Sequence, residues 1–232
     1  MYYRLSRFSR AHELLRRTAY AVLWRLPASL KYGSGALWRR FRLPYKLLRP
    51  GDAAIQIGAP WDTLRAGRSR AVHFARFVGN VGKVVVIEPA PDNLAALREF
   101  TSSHGMTNLD IVPSGAWSKK ARLRFLSNPD HPASNLVEEV CDDRERDRNR
   151  YQVSEIDVDS VDRIAASRVP GAIRLLSITT NGSEIEILKG AEQTLGRTEY
   201  VSLITDQAEG MLKEHGFVRV GHDDRGYTYR RK

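Results

Sequence analysis

Ile55-Gln56-Ile57-Gly58-Ala59 and Val84-Val85-Val86-Ile87-Glu88-Pro89 decide the reading of this chain. Both are short apolar runs rich in β-branched residues, which favour strands. The first breaks into Gly and Pro, and the second stops on a carboxylate. Between them, Arg70 to Gly79 carries Ala71, Phe74, Ala75 and Val78 at helical spacing. Strand, helix, strand follow one another, with a small-residue turn after the first strand and an acid closing the second. A parallel sheet uses this plan for an adenosine-containing cofactor: the backbone approaches at the glycine, and the acid accepts hydrogen bonds from ribose hydroxyls.

Outward from this core the pattern continues. Pro91 to His104 predicts a helix, with Asp92 in its first turn and Leu94, Leu97 and Phe100 on one face. Leu109–Val112 predicts a third strand and Ala121–Leu126 an extra one. Residues 128–150 form a polar loop with a run of mixed charge, either a lid over a pocket or a solvated loop. Tyr151–Val158 reads as extended, Ser160–Ser167 as helical and Ile173–Thr179 as an apolar strand. Glu184–Leu195 reads as one helix ending at Gly196. After strand Tyr200–Thr205 and helix Gln207–His215, Phe217–Val220 and Tyr227–Arg230 pair around a turn containing His222-Asp223-Asp224. The expected fold is α/β: a doubly wound, Rossmann-like sheet with an antiparallel hairpin at its C-terminal end.

Charge divides the chain at about residue 50. Residues 1–50 hold twelve Lys/Arg and a single acid, Glu13; the rest holds 25 bases and 26 acids. A basic arm (residues 1–50) thus precedes a nearly neutral body (residues 51–232). Leu5, Phe8, His12, Leu15, Ala19 and Val22 predict an amphipathic helix over residues 4–24. Tyr32, Trp38, Phe41 and Tyr45 alternate with more Arg beyond it. Basic and aromatic residues together suit an anionic membrane surface. A protein partner, or packing on the chain's own body, is a second reading. Nucleic acid is the weakest, because the arm lacks a recognisable reading motif. A single cysteine, Cys141, excludes an internal disulfide and fits a reducing compartment. Metal-ligand spacings of Cys and His are absent, and no apolar run approaches the ~20 residues that span a bilayer. The expected location is cytoplasmic, peripheral at the inner face of a membrane.

Four segments, in order, resemble the FkbM family of S-adenosylmethionine-dependent methyltransferases. They are Ile87-Glu88-Pro89-Ala90-Pro91-Asp92-Asn93-Leu94, Gly115-Ala116-Trp117-Ser118, Ile156-Asp157-Val158-Asp159-Ser160-Val161-Asp162 and the run from Ile178 to Ala191 containing Gly182-Ser183-Glu184 and Leu188-Lys189-Gly190-Ala191. The resemblance covers about Gly51 to Thr205 and leaves out the arm. It implies a seven-stranded methyltransferase sheet, S-adenosylmethionine as cofactor, and O-methyl transfer to sugars or other hydroxylated metabolites. Carried over by position, Gly58 and Ala59 would lie under the methionine part of the cofactor, Glu88 would hold its ribose, and Ala116 and Trp117 would border its adenine. Residues Thr179 to Glu184 would face the transferred methyl group.

The departures from that family concern charge. Where it usually has Asp-x-Gly-Ala-Asn-x-Gly, this chain has Gln56-Ile57-Gly58-Ala59-Pro60-Trp61-Asp62, with a longer turn through Arg68. Where it shows Lys-x-Asp-x-Glu-Gly, Ser177, Thr179 and Asn181 stand before Gly182. Transfer to a hydroxyl needs the acceptor aligned with the methyl group, and often a base. Thr179 and Asn181 can orient an acceptor but are poor bases. Glu184 is the remaining carboxylate there, although acids are common in first helical turns. Asp62 could make the cofactor contact that Gln56 has lost. His73 reads as a packing residue, and His131 as a lid residue that could approach a substrate. The missing acids also admit a different reading, a methyltransferase-like scaffold without catalysis; a nucleic-acid methyltransferase is a further alternative.

Overall fold

The computed structural model describes residues 26–141 and 151–232. The helix expected over residues 4–24 and the end of the mixed-charge loop lie outside them. Strands β1 (Ala53–Ile57), β2 (Lys83–Ile87) and β3 (Leu109–Val112) run parallel. The chain then passes through β4 (Gly115–Trp117), β5 (Ala121–Ser127), β6 (Leu136–Val137) and β7 (Gln152–Ser160), which form a separate four-stranded sheet ordered β4-β7-β5-β6. It returns to the main sheet on the other side of β1 as β8 (Ile173–Ile178) and β9 (Thr198–Leu203). β10 (Phe217–His222) and β11 (Tyr227–Arg231) close that edge antiparallel. The seven-stranded order is β10-β11-β9-β8-β1-β2-β3. Strand order therefore reverses beside β1, and open α/β sheets bind their ligands in the crevice at such a reversal.

The largely apolar runs of β1, β2 and β8 have the composition of strands covered on both faces. Alternate residues of β1 point to opposite sides. Ile55 and Ile57 join Val85, Ile87, Leu176 and Ile178 in one core. Helices α5 (Val161–Arg168), α6 (Glu184–Lys189), α7 (Glu192–Gly196) and α8 (Glu209–Glu214) cover that face. Ala54, Val84, Val86 and Leu175 form the other core, against α1 (Ala28–Arg39), α2 (Trp61–Arg65), α3 (Arg70–Val78) and α4 (Pro91–Ser103).

Three elements differ from the sequence expectation. Residues 28–48, assigned to the arm, pack on the body: Tyr32, Tyr45 and Leu48 are buried in the second core, and Tyr32 Oη donates to Leu64 O at 2.8 Å. Gly33 and Gly35 make this segment a poor intrinsic helix. Packing overrides that, and Gly35 fits closely, since a Cβ there would come 3.0 Å from the His73 ring. His73 is the packing residue the pattern implied. Burial, aided by the charge of Arg39, pushes its pKa down to about 4. Second, Glu184–Leu195 is two short helices. The chain breaks at Gly190, where a side chain would collide with the Trp117 carbonyl oxygen. Third, the expected turn from Trp61 to Arg65 is α2.

Candidate active site

The site forms where β1, β2 and β8 end side by side. The ladder runs one residue past each strand: Gly58 N donates to Ile87 O and Thr179 N to Ile57 O, both at 3.0 Å, and Glu88 N donates to Val112 O at 3.2 Å. Gly58, Glu88 and Thr179 are thus held in one row. Gly58 has φ +86°, and a Cβ at that position would stand 2.7 Å from Thr179 O. Only glycine satisfies both the backbone angle and that approach.

Glu88 is buried, and its carboxylate is built into the turn after β1. Oε2 accepts from Ala59 N at 2.7 Å. Oε1 accepts from Ala90 N at 2.9 Å and from Asn93 Nδ2 at 3.0 Å. Asn93 also accepts from Trp61 N at 3.0 Å, tying α4 to the same turn. Burial raises the Glu88 pKa, while Asn93, Ala59 and Ala90 oppose the rise. An ionised carboxylate offers about four lone-pair positions, so three donors leave it able to accept from a ligand.

Above this row lies a cleft with about 610 Å³ of empty space, including its open mouth. Ile57, Gly58, Glu88 and Asn93 line its floor, and Phe125, Ile156 and Val158 of the small sheet line one wall. Pro132, Ala133 and Asn135–Val137, from the loop read as either a lid or a solvated loop, form its roof. Asn181 fixes that roof: its Nδ2 donates to Ala133 O at 2.9 Å and to Asn135 O at 2.8 Å.

Of the expected site residues, Gly58, Glu88, Ala116, Thr179 and Asn181 border the cleft. Ala59 takes part through its backbone N–H. Gln56 lies beneath the cleft, donating through Nε2 to Ile57 O, Gly58 O and Thr179 Oγ1 at 2.8–2.9 Å. Asp62, Trp117 and Glu184 do not border it. Asp62 sits in the first turn of α2 and accepts from Thr63 N at 2.7 Å. Trp117 packs with Phe125, Val137 and Ile156. Glu184 is buried and accepts from Thr180 Oγ1 at 2.9 Å; burial raises its pKa. His131 is exposed and also lies off the cleft.

Two features escaped the sequence reading. Asn93 gives no local signal beyond a polar residue near a helix start. Arg70, at the start of α3, is buried and meets Asp223 and Asp224 of the C-terminal hairpin at 2.7 and 2.5 Å. Its Nη1 also donates to Ser202 Oγ at 2.7 Å and Ser177 Oγ at 3.1 Å. Sequence separations of 153 and 154 hide these pairs.

A Methyltransferase FkbM domain model matches residues 56–229. Similar solved structures include an FkbM methyltransferase from Methylobacillus flagellatus (17% identity, TM-score 0.49), aligned over 95% of this chain. The alignment spans 60% of that longer protein, less than two thirds of it. A methyltransferase from Geobacter sulfurreducens aligns over 98% of this chain and 93% of its own (13% identity, TM-score 0.43). Aeropyrum pernix fibrillarin with natively bound S-adenosyl-L-methionine aligns over 85% and 72% (12% identity, TM-score 0.44). No curated protein matches the sequence. Family membership rests on the match over residues 56–229: this chain belongs to the FkbM methyltransferases, a family that uses S-adenosylmethionine.

Proposed function

We propose that this chain methylates a hydroxyl group of a small molecule, with S-adenosylmethionine held in the cleft above β1 and β2. The observation that carries the reading is Glu88, a buried carboxylate at the end of β2 that faces an apolar cleft and keeps acceptor capacity. The donor set fits the cofactor. A ribose offers hydroxyl donors to Glu88, and adenine is an apolar plate suited to the wall of Phe125, Ile156 and Val158. Bound there, the cofactor supplies an electrophilic methyl group. The residues of this chain hold and align. Gly58 and Thr179 fix the floor, and Asn181 holds the roof over it. Glu88 is the only Asp or Glu among the described residues that line the cleft. Glu184 is turned to Thr180. Catalysis by alignment is therefore favoured, with the hydroxyl proton leaving to solvent.

Calorimetric titration of S-adenosylmethionine and S-adenosylhomocysteine is the test. Micromolar binding is expected. A folded sample that binds neither overturns the reading in favour of a non-catalytic scaffold.

We also infer that the chain works at an anionic membrane surface. Among the described residues no helix is long and apolar enough to cross a membrane. Support for surface binding comes from α1 and the turn after it, where Trp38 and Phe41 are 62% and 71% exposed. Arg42 lies 3.9 Å over the Trp38 ring and Arg40 lies 4.7 Å over Phe41. Rings at headgroup depth beside arginines match an interface with lipid phosphate. The protein is expected to co-sediment with phosphatidylserine vesicles. Trp38→Ala with Phe41→Ala should weaken this by about tenfold, as burying two rings implies. Equal binding to uncharged phosphatidylcholine vesicles, or none to either, overturns the inference.

A further inference from the structure

A second cavity, with about 480 Å³ of empty space including its open mouth, lies behind the contact between Gly58 and Thr179. It shares Gly58, Pro60, Thr179 and Asn181 with the cofactor cleft, so the two spaces adjoin at the strand ends. Gln56, Thr63, Ser69, Arg70 and Arg225 supply its remaining polar walls, and no described Asp or Glu lines it. Gln56, Thr179 and Asn181 are the three positions where this chain has an amide or a hydroxyl in place of a carboxylate of the pattern it resembles. All three face this one space.

Two groups in the walls lack partners. Arg70 is saturated by Asp223, Asp224, Ser177 and Ser202. Arg225, two residues on from Asp223 in the hairpin turn, is exposed to solvent and forms no hydrogen bond or ion pair with the described residues. Partial burial, with the like charge of Arg70, lowers its pKa; an anion beside it would relieve both. The second group is Gln56 Oε1, which is buried without a hydrogen-bond partner. The amide cannot be turned over to satisfy it, because Nε2 faces the carbonyl oxygens of Ile57 and Gly58. Gln56 Oε1 therefore needs a donor, and a ligand hydroxyl is one.

We propose that this cavity is the acceptor subsite and that it takes a small hydroxylated anion. Its carboxylate or phosphate pairs with Arg225, and its hydroxyl donates to Gln56 Oε1, beside the wall shared with the cofactor cleft. The assignment of this cavity to the acceptor rests on the assignment of the cleft to the cofactor.

The test titrates glycerol 3-phosphate, glycerate and uncharged glycerol into the full chain, with and without S-adenosylhomocysteine. At least one anion is expected to bind and glycerol is not; which anion binds identifies the acidic group. Arg225→Met should weaken the anion by about tenfold or more, as loss of a charge-assisted pair implies, and Arg225→Lys should restore part of it. Binding of neither anion, binding of glycerol as tightly as the anions, or unchanged binding to Arg225→Met overturns the proposal. S-adenosylhomocysteine titrated into the same samples separates the two assignments. Anion binding without S-adenosylhomocysteine binding leaves an anion site but removes the cofactor reading and, with it, the role of acceptor; the reverse removes the acceptor subsite alone.

Discussion

Arg70→Met is expected to lower the stability of the folded chain by about 3–5 kcal/mol, measured as a shift in urea midpoint. The substitution leaves Asp223, whose side chain is fully buried, without its cation, and breaking a buried pair from one side costs that order of energy. Burial alone would depress the Arg70 pKa, but Asp224 and Asp223 outweigh it and raise the value. Asp223 shows the converse. Burial lifts its carboxyl, while Arg70, Ser202, Arg225 N–H and Thr228 more than offset this and hold it below its ordinary 3.8. A depressed folded-state value means that the stabilisation is complete above about pH 4 and lost as pH falls through the lowered value. The gap between Arg70→Met and the parent should therefore narrow in acid. Asp224→Asn is a milder companion, because it keeps the shape: the amide oxygen can still accept from Arg70, and the amide NH2 can donate to Tyr45 Oη. A loss under ~1 kcal/mol in Arg70→Met, the range of an exposed pair, would show that the cluster is not the link between α3 and the hairpin.

Glu88→Ala should weaken S-adenosylhomocysteine binding by about 10- to 100-fold, the equivalent of losing a hydrogen bond to a charged acceptor (~1.5–3 kcal/mol). The effect has two sources. A ribose would lose its acceptor. Ala59 N, Ala90 N and Asn93 Nδ2 would also lose theirs, so the turn that lies under the cofactor would loosen. Glu88→Gln separates the two: its remaining carbonyl oxygen accepts for Asn93 or for the ribose, but its amide nitrogen opposes a backbone donor. An intermediate loss is expected. Normal affinity in Glu88→Ala, by calorimetry on a folded sample, would remove Glu88 from the site.

The parallel core was legible because β1 and β2 are buried on both faces, so Ala54, Ile55, Ile57 and Val84 to Ile87 had to be apolar, with Gln56 the polar exception. Glu88 was legible for a related reason, since a carboxylate directly after such a run needs partners. The small sheet was not. Ala121–Leu126 and Tyr151–Val158 each read as extended, but their pairing, Phe125 with Ser154 and Leu123 with Ile156, is a long-range register that local pattern does not encode. Asp62 and Glu184 are misdirected for one shared reason. Spacing places a residue near a strand end, whereas α2 and α6 decide where its side chain goes, and a first helical turn draws carboxylates to its own N–H groups. The helix from Ala28 was hidden by its glycines, whose low propensity is offset by contacts to residues 32 to 68 positions away, from Tyr32–Leu64 to Tyr32–Phe100.

The grip of Asn181 on the roof has an evolutionary and engineering consequence. It holds the main-chain oxygens of Ala133 and Asn135, not their side chains. The side chains of Ala133 and Ser134, which are not buried, can therefore be exchanged without unfastening the segment, provided the backbone path survives. These two positions behave as a replaceable cassette: a library confined to them would alter which molecules the cleft admits while leaving the anchoring residue, and the sheet beneath, untouched.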